Sequence, residues 1–527
     1  MEPILADSNS ITLTEEKKIP VQIIREGIFY RPTNPAIYSH RATTPDLPRK
    51  RAKHVNLAPN MPIEDELRLY SLFTMKSLIP FLTYSFSITA HAFSSTGKLT
   101  APDGAALDRF GTAVAANGQF ILIGSPRDDD HGSSSGSVYV FNASTREFIR
   151  KLTAPDGARG DEFGAALSIH GSRALIGARF DDDEGSNSGS AYLFDLNTGS
   201  LVKKLTGANV GDQFGKAVAI NSTRLAITAW LADPNGESSG QVHLFDSEGV
   251  PLKILLPNSG RKFDQFGASA HFDETHLIIG SPFEDSSAAD SGAAYLFDNN
   301  GRLIQKFTGD NNSGDVFGTS VAVSNGKALI GASFADTTIA DSGAAFYFDI
   351  AAGELIRRMT ASDPKKYDHF GISVSLNKGH LLVGSDFADG IKNEVGRVDL
   401  FDAADGTLLN SIFSPDAAAA DFFGGSVTLL PGKILASSVQ DDDSGSSSGS
   451  AYLIELSKPV EGLVLRPAKG GLQLSWTSDP GNKSYQIYMS KDLKNWTLID
   501  DTLTTSTWMI PRQTETPRAF FKVEVSL

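Results

Sequence analysis

The chain has 527 residues, 47 basic and 62 acidic side chains for a net charge of −15, and no cysteine. A surface that grips phosphate backbones needs clustered Lys and Arg, so this balance argues against nucleic acid as a partner. Disulfides are excluded, which leaves the compartment open, because proteins of the bacterial envelope commonly do without them.

Residues 1–74 carry mixed charge, scattered prolines and the basic cluster Arg49, Lys50, Arg51 and Lys53, with no sustained periodicity. They are left unassigned: a disordered extension, or text upstream of a reading frame that begins at Met75. From Met75 the pattern is that of an export leader: Lys76, an apolar stretch over Leu78–Ile88, then Ala90-His91-Ala92 with small residues flanking a cleavage point. The stretch is shorter than the roughly 20 residues a spanning helix needs. Residues 75–92 are therefore expected to be a signal peptide removed after Ala92, with no membrane span left behind.

Beyond the leader, Asp-x-Phe-Gly recurs with Phe at 110, 163, 214, 266, 317, 370 and 423, at spacings of 53, 51, 52, 51, 53 and 53. A period this regular is one unit used seven times, in the range of solenoids and propellers. The second copy contains four short β-forming runs, Gly164–Ile169, Ala174–Ala178, Ser190–Asp195 and Leu201–Thr206, separated by turn residues such as "HGS" and "NTG". Four strands per unit predict a propeller blade, and seven units a seven-bladed ring over residues 93–457.

The seventh unit ends at "SAYLIEL" (Ser450–Leu456) without the outer strand that "KKLT" (Lys203–Thr206) supplies in the second. The missing strand is expected at the other end, where "GKLTAPDG" (Gly97–Gly104) nearly repeats "RKLTAPDG" (Arg150–Gly157). An amino-terminal strand in the last blade would close the ring and leave no open sheet edge.

These units resemble FG-GAP repeats, the blades of the integrin α-chain propeller, in the form found in secreted bacterial proteins. The second half of the signature survives as "IGSP" (Ile123–Pro126), "IGAR" (Ile176–Arg179), "IGSP" (Ile279–Pro282) and "IGAS" (Ile330–Ser333). The resemblance implies a propeller fold and a role in binding or adhesion. The integrin-type calcium loops do not carry over, because the interval between the two halves is only "AANGQF" (Ala115–Phe120) or "SIHGSR" (Ser168–Arg173), too poor in carboxylates for six to eight oxygens.

From Pro459 the composition changes, with Trp476, Trp496 and Trp508 in the last seventy residues. Alternating runs such as "GLQLSWTS" and "SYQIYMSKDLKNWTLID" predict a small antiparallel β-sandwich over 458–527. It resembles a fibronectin type III-like module, with Trp476 as a core tryptophan and a spacing or attachment role.

Candidate chemistry lies in the loop between second and third strands, where Asp128-Asp129-Asp130, Asp181-Asp182-Asp183 and Asp441-Asp442-Asp443 each precede a Gly/Ser run. Degenerate copies sit at Asp233, Glu284-Asp285, Asp336 and Asp386–Asp389. One reading is calcium or a cationic ligand shared between carboxylates; the other is capping of backbone N–H groups in a tight turn. A second ring, Asp108, Asp161, Asp212, Asp264, Asp315, Asp368 and Asp421, is expected to bond its own turns while Phe packs between blades. Arg159-Gly160-Asp161 matches the integrin-recognised tripeptide, but its Gly-Asp belongs to the repeat. No catalytic constellation is assigned: the ten histidines show no metal spacing and no Gly-x-Ser-x-Gly elbow occurs.

These features predict a secreted or cell-surface binding or adhesion protein that recognises an extracellular protein or polysaccharide through propeller loops, without turnover. The alternatives are an extracellular polymer-degrading enzyme using carboxylates from different blades, and a structural protein of a surface layer or matrix.

Overall fold

The computed structural model describes residues 93–456 except Asn311 and Ile391, with side chains from Gly97 onward; outside that span it describes short strands, mostly as backbone. All its regular elements are β-strands, and among the described residues no helix is long and apolar enough to cross a membrane. Two compact units emerge, residues 91–458 and a second made of 1–90 with 459–526.

The first unit is a seven-bladed propeller. Blade 2 is typical, with antiparallel strands Ala166–His170, Arg173–Ala178, Ser190–Asp195 and Ser200–Thr206 hydrogen-bonded in sequence order. These bounds fall within two residues of the four predicted runs. The second and third strands are buried almost throughout and the fourth is half exposed, the expected gradient from blade interior to rim. The first strand of each blade touches that of the next, and the first strand of blade 7 touches that of blade 1, so the ring is continuous. In blade 7 the sheet order is Phe423–Leu430, Lys433–Ser438, Ser450–Leu456 and then Phe93–Leu99, with Leu99 opposite Ala451 and Lys98 opposite Tyr452.

The Phe-Gly pair explains why blades of this sequence stack. The Phe163 N–H donates to Ser135 O of the preceding blade at 3.0 Å, while the next N–H, of Gly164, donates to Gly177 O of its own blade at 3.0 Å. Two consecutive donors thus stitch two blades. The same link joins Phe110 N to Ser448 O at 2.9 Å, across the junction between last and first blades. All seven Phe rings are essentially fully buried. Phe163 meets Tyr192 edge to face at 5.3 Å, in a core cluster that also holds Leu122, Val138 and Val140 of blade 1. Glycine is required on both sides of this seam. Gly164 sits at φ +94°, and a β-carbon on Gly124, Gly177, Gly280, Gly331 or Gly384 would come closer than 3.0 Å to the carbonyl oxygen of the next blade's Phe-Gly glycine.

In the second unit, Val464–Ala468, Gly471–Ser475 and Thr507–Ile510 form one sheet, and Trp496–Leu503, Ser484–Ser490 and Arg518–Ser526 belong to another. Trp476, the expected core tryptophan, lies outside the described residues. Of residues 1–74 the structure describes three short strands, Ser10–Thr12, Val21–Ile24 and Gly27–Tyr30. Of the expected leader it describes only Thr83–Ser87, a strand paired in parallel with Arg518–Ser526.

Two substitutions test the seam. Gly331→Ala drives a methyl group into the Gly371 carbonyl, and Phe317→Ala empties a buried aromatic site at a cost of about 3–5 kcal/mol. Both are expected to lower the urea midpoint of the propeller transition, whereas Gly326→Ala, at a turn with open space around it, costs only the left-handed strain of about 1 kcal/mol.

Candidate functional site

The seven loops between second and third strands share one backbone plan. The second acidic residue accepts, through Oδ1, the N–H five residues on: Asp129 from Ser134 at 2.7 Å, Asp182 from Asn187 at 2.6 Å, Asp442 from Ser447 at 2.7 Å. Asp233, Asp285, Asp336 and Asp389 do the same in the other four blades. These carboxylates are turn caps. Asp386 stands apart from the plan, since it bonds His369 Nδ1 at 3.1 Å.

The first and third residues of each full triplet do something else. Asp128 is buried, and its Oδ2 faces Tyr139 Oη at 2.7 Å and Lys151 Nζ at 2.8 Å. Lys151, from the outermost strand, also reaches Asp103 at 2.9 Å and Asp130 at 2.6 Å, with its ammonium 5.1 Å from the Tyr139 ring centre. Blade 2 repeats this with Lys204 among Asp156, Asp181 and Asp183 beside Tyr192, and blade 7 with Lys98 among Asp416, Asp441 and Asp443 beside Tyr452. Burial disfavours these ammonium charges, but hydrogen bonds to the three carboxylates outweigh it and hold Lys98, Lys151 and Lys204 well above the usual lysine range. Asp103 is likewise penalised by burial, yet Tyr139 and Lys151 hold it below the usual carboxylate range.

The oxygens of Asp103, Asp128 and Asp130 lie within 4.8 Å of one another, as do those of Asp416, Asp441 and Asp443, a spacing that could hold a metal ion such as calcium. An ammonium already sits among each set. Three carboxylates reach the six to eight oxygens calcium takes only if all bind through both oxygens, and calcium would have to displace the lysine to do so.

Sequence reasoning singled out the nine aspartates but missed their lysine and tyrosine partners. The signal was present in the repeats. Where the first loop residue is acidic, at Asp128, Asp181, Glu284 and Asp441, the facing residues are Tyr and Lys; where it is Ala232, Ala335 or Ala388, the tyrosine is replaced by His243, Phe346 or Asp399. The set changes together. Blade 6 substitutes a buried pair in which Arg397 Nε donates to Asp399 at 3.0 Å and Nη1 to Asp363 at 2.5 Å.

The Asp of each Asp-x-Phe-Gly is buried, and six of the seven accept the backbone N–H three residues before them, as Asp161 does from Ala158 at 2.7 Å, while Asp212 accepts the Asn209 side-chain amide at 2.9 Å. That removes Asp161 from display in Arg159-Gly160-Asp161. Between this Asp and the Phe, one residue per blade is held at positive φ: Arg109, Glu162, Gln213, Gln265, Val316, His369 and Phe422, all between 50° and 59°. Six donate their N–H to the preceding blade's loop, among them Glu162 to Ser134 O at 3.1 Å and Gln213 to Asn187 O at 3.1 Å. Each precedes the first strand of its blade, the strand that touches its counterparts around the ring, so the seven surround one mouth of the central channel; Val316 is buried there and the other six are partly exposed. A cavity of about 610 Å³ lies elsewhere, on the rim between blades 6 and 7, lined by Asp363, Lys365, Asp389, Phe413, Ser414 and Asp416 among others. Its Lys365 and Asp389 pair with each other, its Asp416 with Lys98 and its Asp363 with Arg397, which leaves Ser414 Oγ buried without a hydrogen-bond partner.

The family model described as FG-GAP repeat matches residues 93–141, 147–194, 201–245, 252–297, 304–348, 354–401 and 407–454, more than half of the chain. The chain belongs to the FG-GAP repeat family. No curated protein matches it.

Burial pushes Asp108, Asp161 and Asp264 up to about 6, with nearby loop carboxylates adding to the shift. A carboxyl whose folded value is raised binds more protons folded than unfolded, so its contribution is greatest below about pH 4 and is lost as pH rises through 6. The lysine-held Asp103, Asp156 and Asp416 act oppositely and only below about pH 4. Between about pH 4.5 and 6.5 these three carboxyls lower the unfolding midpoint as pH rises, while His243 and His271, held neutral by burial, raise it; relative to the wild type, the Asp108→Asn/Asp161→Asn/Asp264→Asn variant is expected to lose the falling contribution in calorimetric scans.

Proposed function

We propose that this chain is a secreted or cell-surface binding protein, of the bacterial type, whose propeller recognises an extracellular protein or polysaccharide without turnover. The observation that carries this reading is the ring at the channel mouth. Seven equivalent positions share one left-handed backbone between a fixed Asp and a fixed Phe, yet carry seven side chains of which only the two glutamines are alike. Holding a non-glycine residue there costs about 1 kcal/mol or more each. A scaffold that keeps the backbone constant while varying the presented group suits recognition. An enzyme would need two carboxylates free to exchange protons at a set separation, and the carboxylates that gather in threes do so around lysine.

The leader pattern ending at Ala92 supports export, because cleavage there would leave intact the strand Phe93–Leu99, which we take to close the ring. The carboxy-terminal module, similar to fibronectin type III, serves in this reading to space or attach the propeller. Calcium competes with the rim lysines. Adding calcium to residues 93–527 and then chelating it is expected to leave the thermal midpoint unchanged; a rise of several degrees, lost in Asp128→Asn, would make the rim a metal site.

The recognition reading is tested by replacing Gln213, Gln265 and His369 together with glycine, which accepts their backbone without strain and leaves the Glu162–Arg179 pair in place. The full chain is expected to bind at least one member of an array of extracellular polysaccharides and proteins, and the variant to lose that binding with its thermal midpoint unchanged or raised. Equal binding by both proteins would overturn it.

A further inference from the structure

The mouth ring is electrostatically lopsided. Blades 1 to 3 bring Arg109, Arg179 and Lys216 within electrostatic reach of a single carboxylate, Glu162, with Arg127 beside Arg109, in a chain whose net charge is −15. Glu162 bonds Arg179 Nη2 at 3.0 Å and acts electrostatically on both Arg109 and Lys216, so three cations share one anion, and Arg127 adds a fourth positive charge beside Arg109. Elsewhere in the propeller acid outnumbers base around the lysines of the rim; here the ratio is reversed.

The polar groups of this sector are also underused. Arg109 Nε, Arg179 Nε and, in blade 4, Gln265 Oε1 are buried without a hydrogen-bond partner. Unpaired buried polar atoms are costly in a folded protein and call for an explanation, a bound group among them. Lys216 stands over the Trp230 ring, 4.8 Å from its centre, and Trp230 Nε1 donates to Gln213 Oε1 at 2.9 Å. Burial, reinforced by repulsion from Arg179, pushes Lys216 down to about 8, as expected of a cation short of counter-charge.

Blades 5 to 7 complete the mouth with aromatic surface. His369 lies between Phe334 at 4.8 Å and Phe387 at 4.6 Å, and Phe387 stacks on Phe422 at 4.5 Å. Guanidinium groups take carboxylates through paired N–H donors, amide side chains pair with hydroxyls, and aromatic faces pack against apolar ring faces.

Resting on the recognition reading above, we propose that the channel mouth binds an acidic polysaccharide, with a uronic acid carboxylate held by Arg109, Arg179 and Lys216 and the neighbouring sugar rings against the aromatic sector. The geometry favours a sugar acid over a phosphate ligand because amides and aromatic faces accompany the cations.

The test is titration calorimetry of the full chain with a tetramer of galacturonic acid, beside a tetramer of galactose and a poly-glutamate peptide. Binding of the galacturonic acid tetramer alone is expected, weakening as salt rises and falling at least tenfold in Lys216→Met and in Arg109→Gln. The second variant, which installs the residue that blades 3 and 4 carry on the same backbone, guards against a folding defect in the first. No binding of that tetramer, or binding unchanged in both variants, would overturn the proposal. Binding of galactose or peptide that the glycine replacements at the mouth abolish would overturn the uronate and keep the recognition reading; no binding anywhere on the array would remove both.

Discussion

The propeller depends on the meeting of two glycines across a blade boundary. In five blades the second-strand glycine lies so close to the next blade's Phe-Gly carbonyl that no side chain fits between them. Because the seam closes at backbone distance, the adjoining Phe can donate to the preceding blade while its Gly donates within its own. Packing then follows from hydrogen bonding: the Phe ring is carried into the gap between sheets and meets the third-strand aromatic edge to face. In the other two blades Thr228 and Ser437 occupy the glycine position, and their hydroxyls accept the N–H groups of Ala217 and Ser426, so a side chain is admitted where it supplies its own bond.

The acidic loops serve this seam more than they face solvent. Each second Asp caps a residue at positive φ, Ser134 in blade 1, whose carbonyl in turn receives Glu162 N–H from blade 2. A carboxylate on the rim thus fixes a backbone position at the mouth of the neighbouring blade. Buried first aspartates such as Asp128 and Asp181 need a counter-charge, because removing one partner of a buried pair leaves an uncompensated ion. Lys151 and Lys204 provide it from the outermost strand, which ties the edge of each blade to its loop.

Blade count, strand boundaries and the turn role of the Asp-x-Phe-Gly aspartates were legible in the sequence because each rests on local chemistry repeated seven times. The lysine clusters were not, since Asp103, Asp128 and Lys151 are distant in sequence and meet only after four strands have paired. Comparing repeats could have exposed them: the Asp, Tyr and Lys positions vary as a set. The mouth residues escaped for the opposite reason. A position reading Arg, Glu, Gln, Gln, Val, His, Phe has no pattern, and only the common backbone angle reveals it as one site.

That contrast separates what the repeat must keep from what it is free to change. Asp161 and Phe163 are fixed by a turn and by a seam, and replacing either would be felt by two blades. Glu162 between them commits its backbone to the same network, while its side chain answers the cations of its own sector and not the seam, so its identity sets the charge of the mouth. Variation is therefore channelled to one ring by the same bonds that suppress it elsewhere. Seven copies of a stiff unit bring one variable side chain each to the same place around the ring, and the neighbours those side chains find there, cations on one side and aromatic rings on the other, set the character of the mouth.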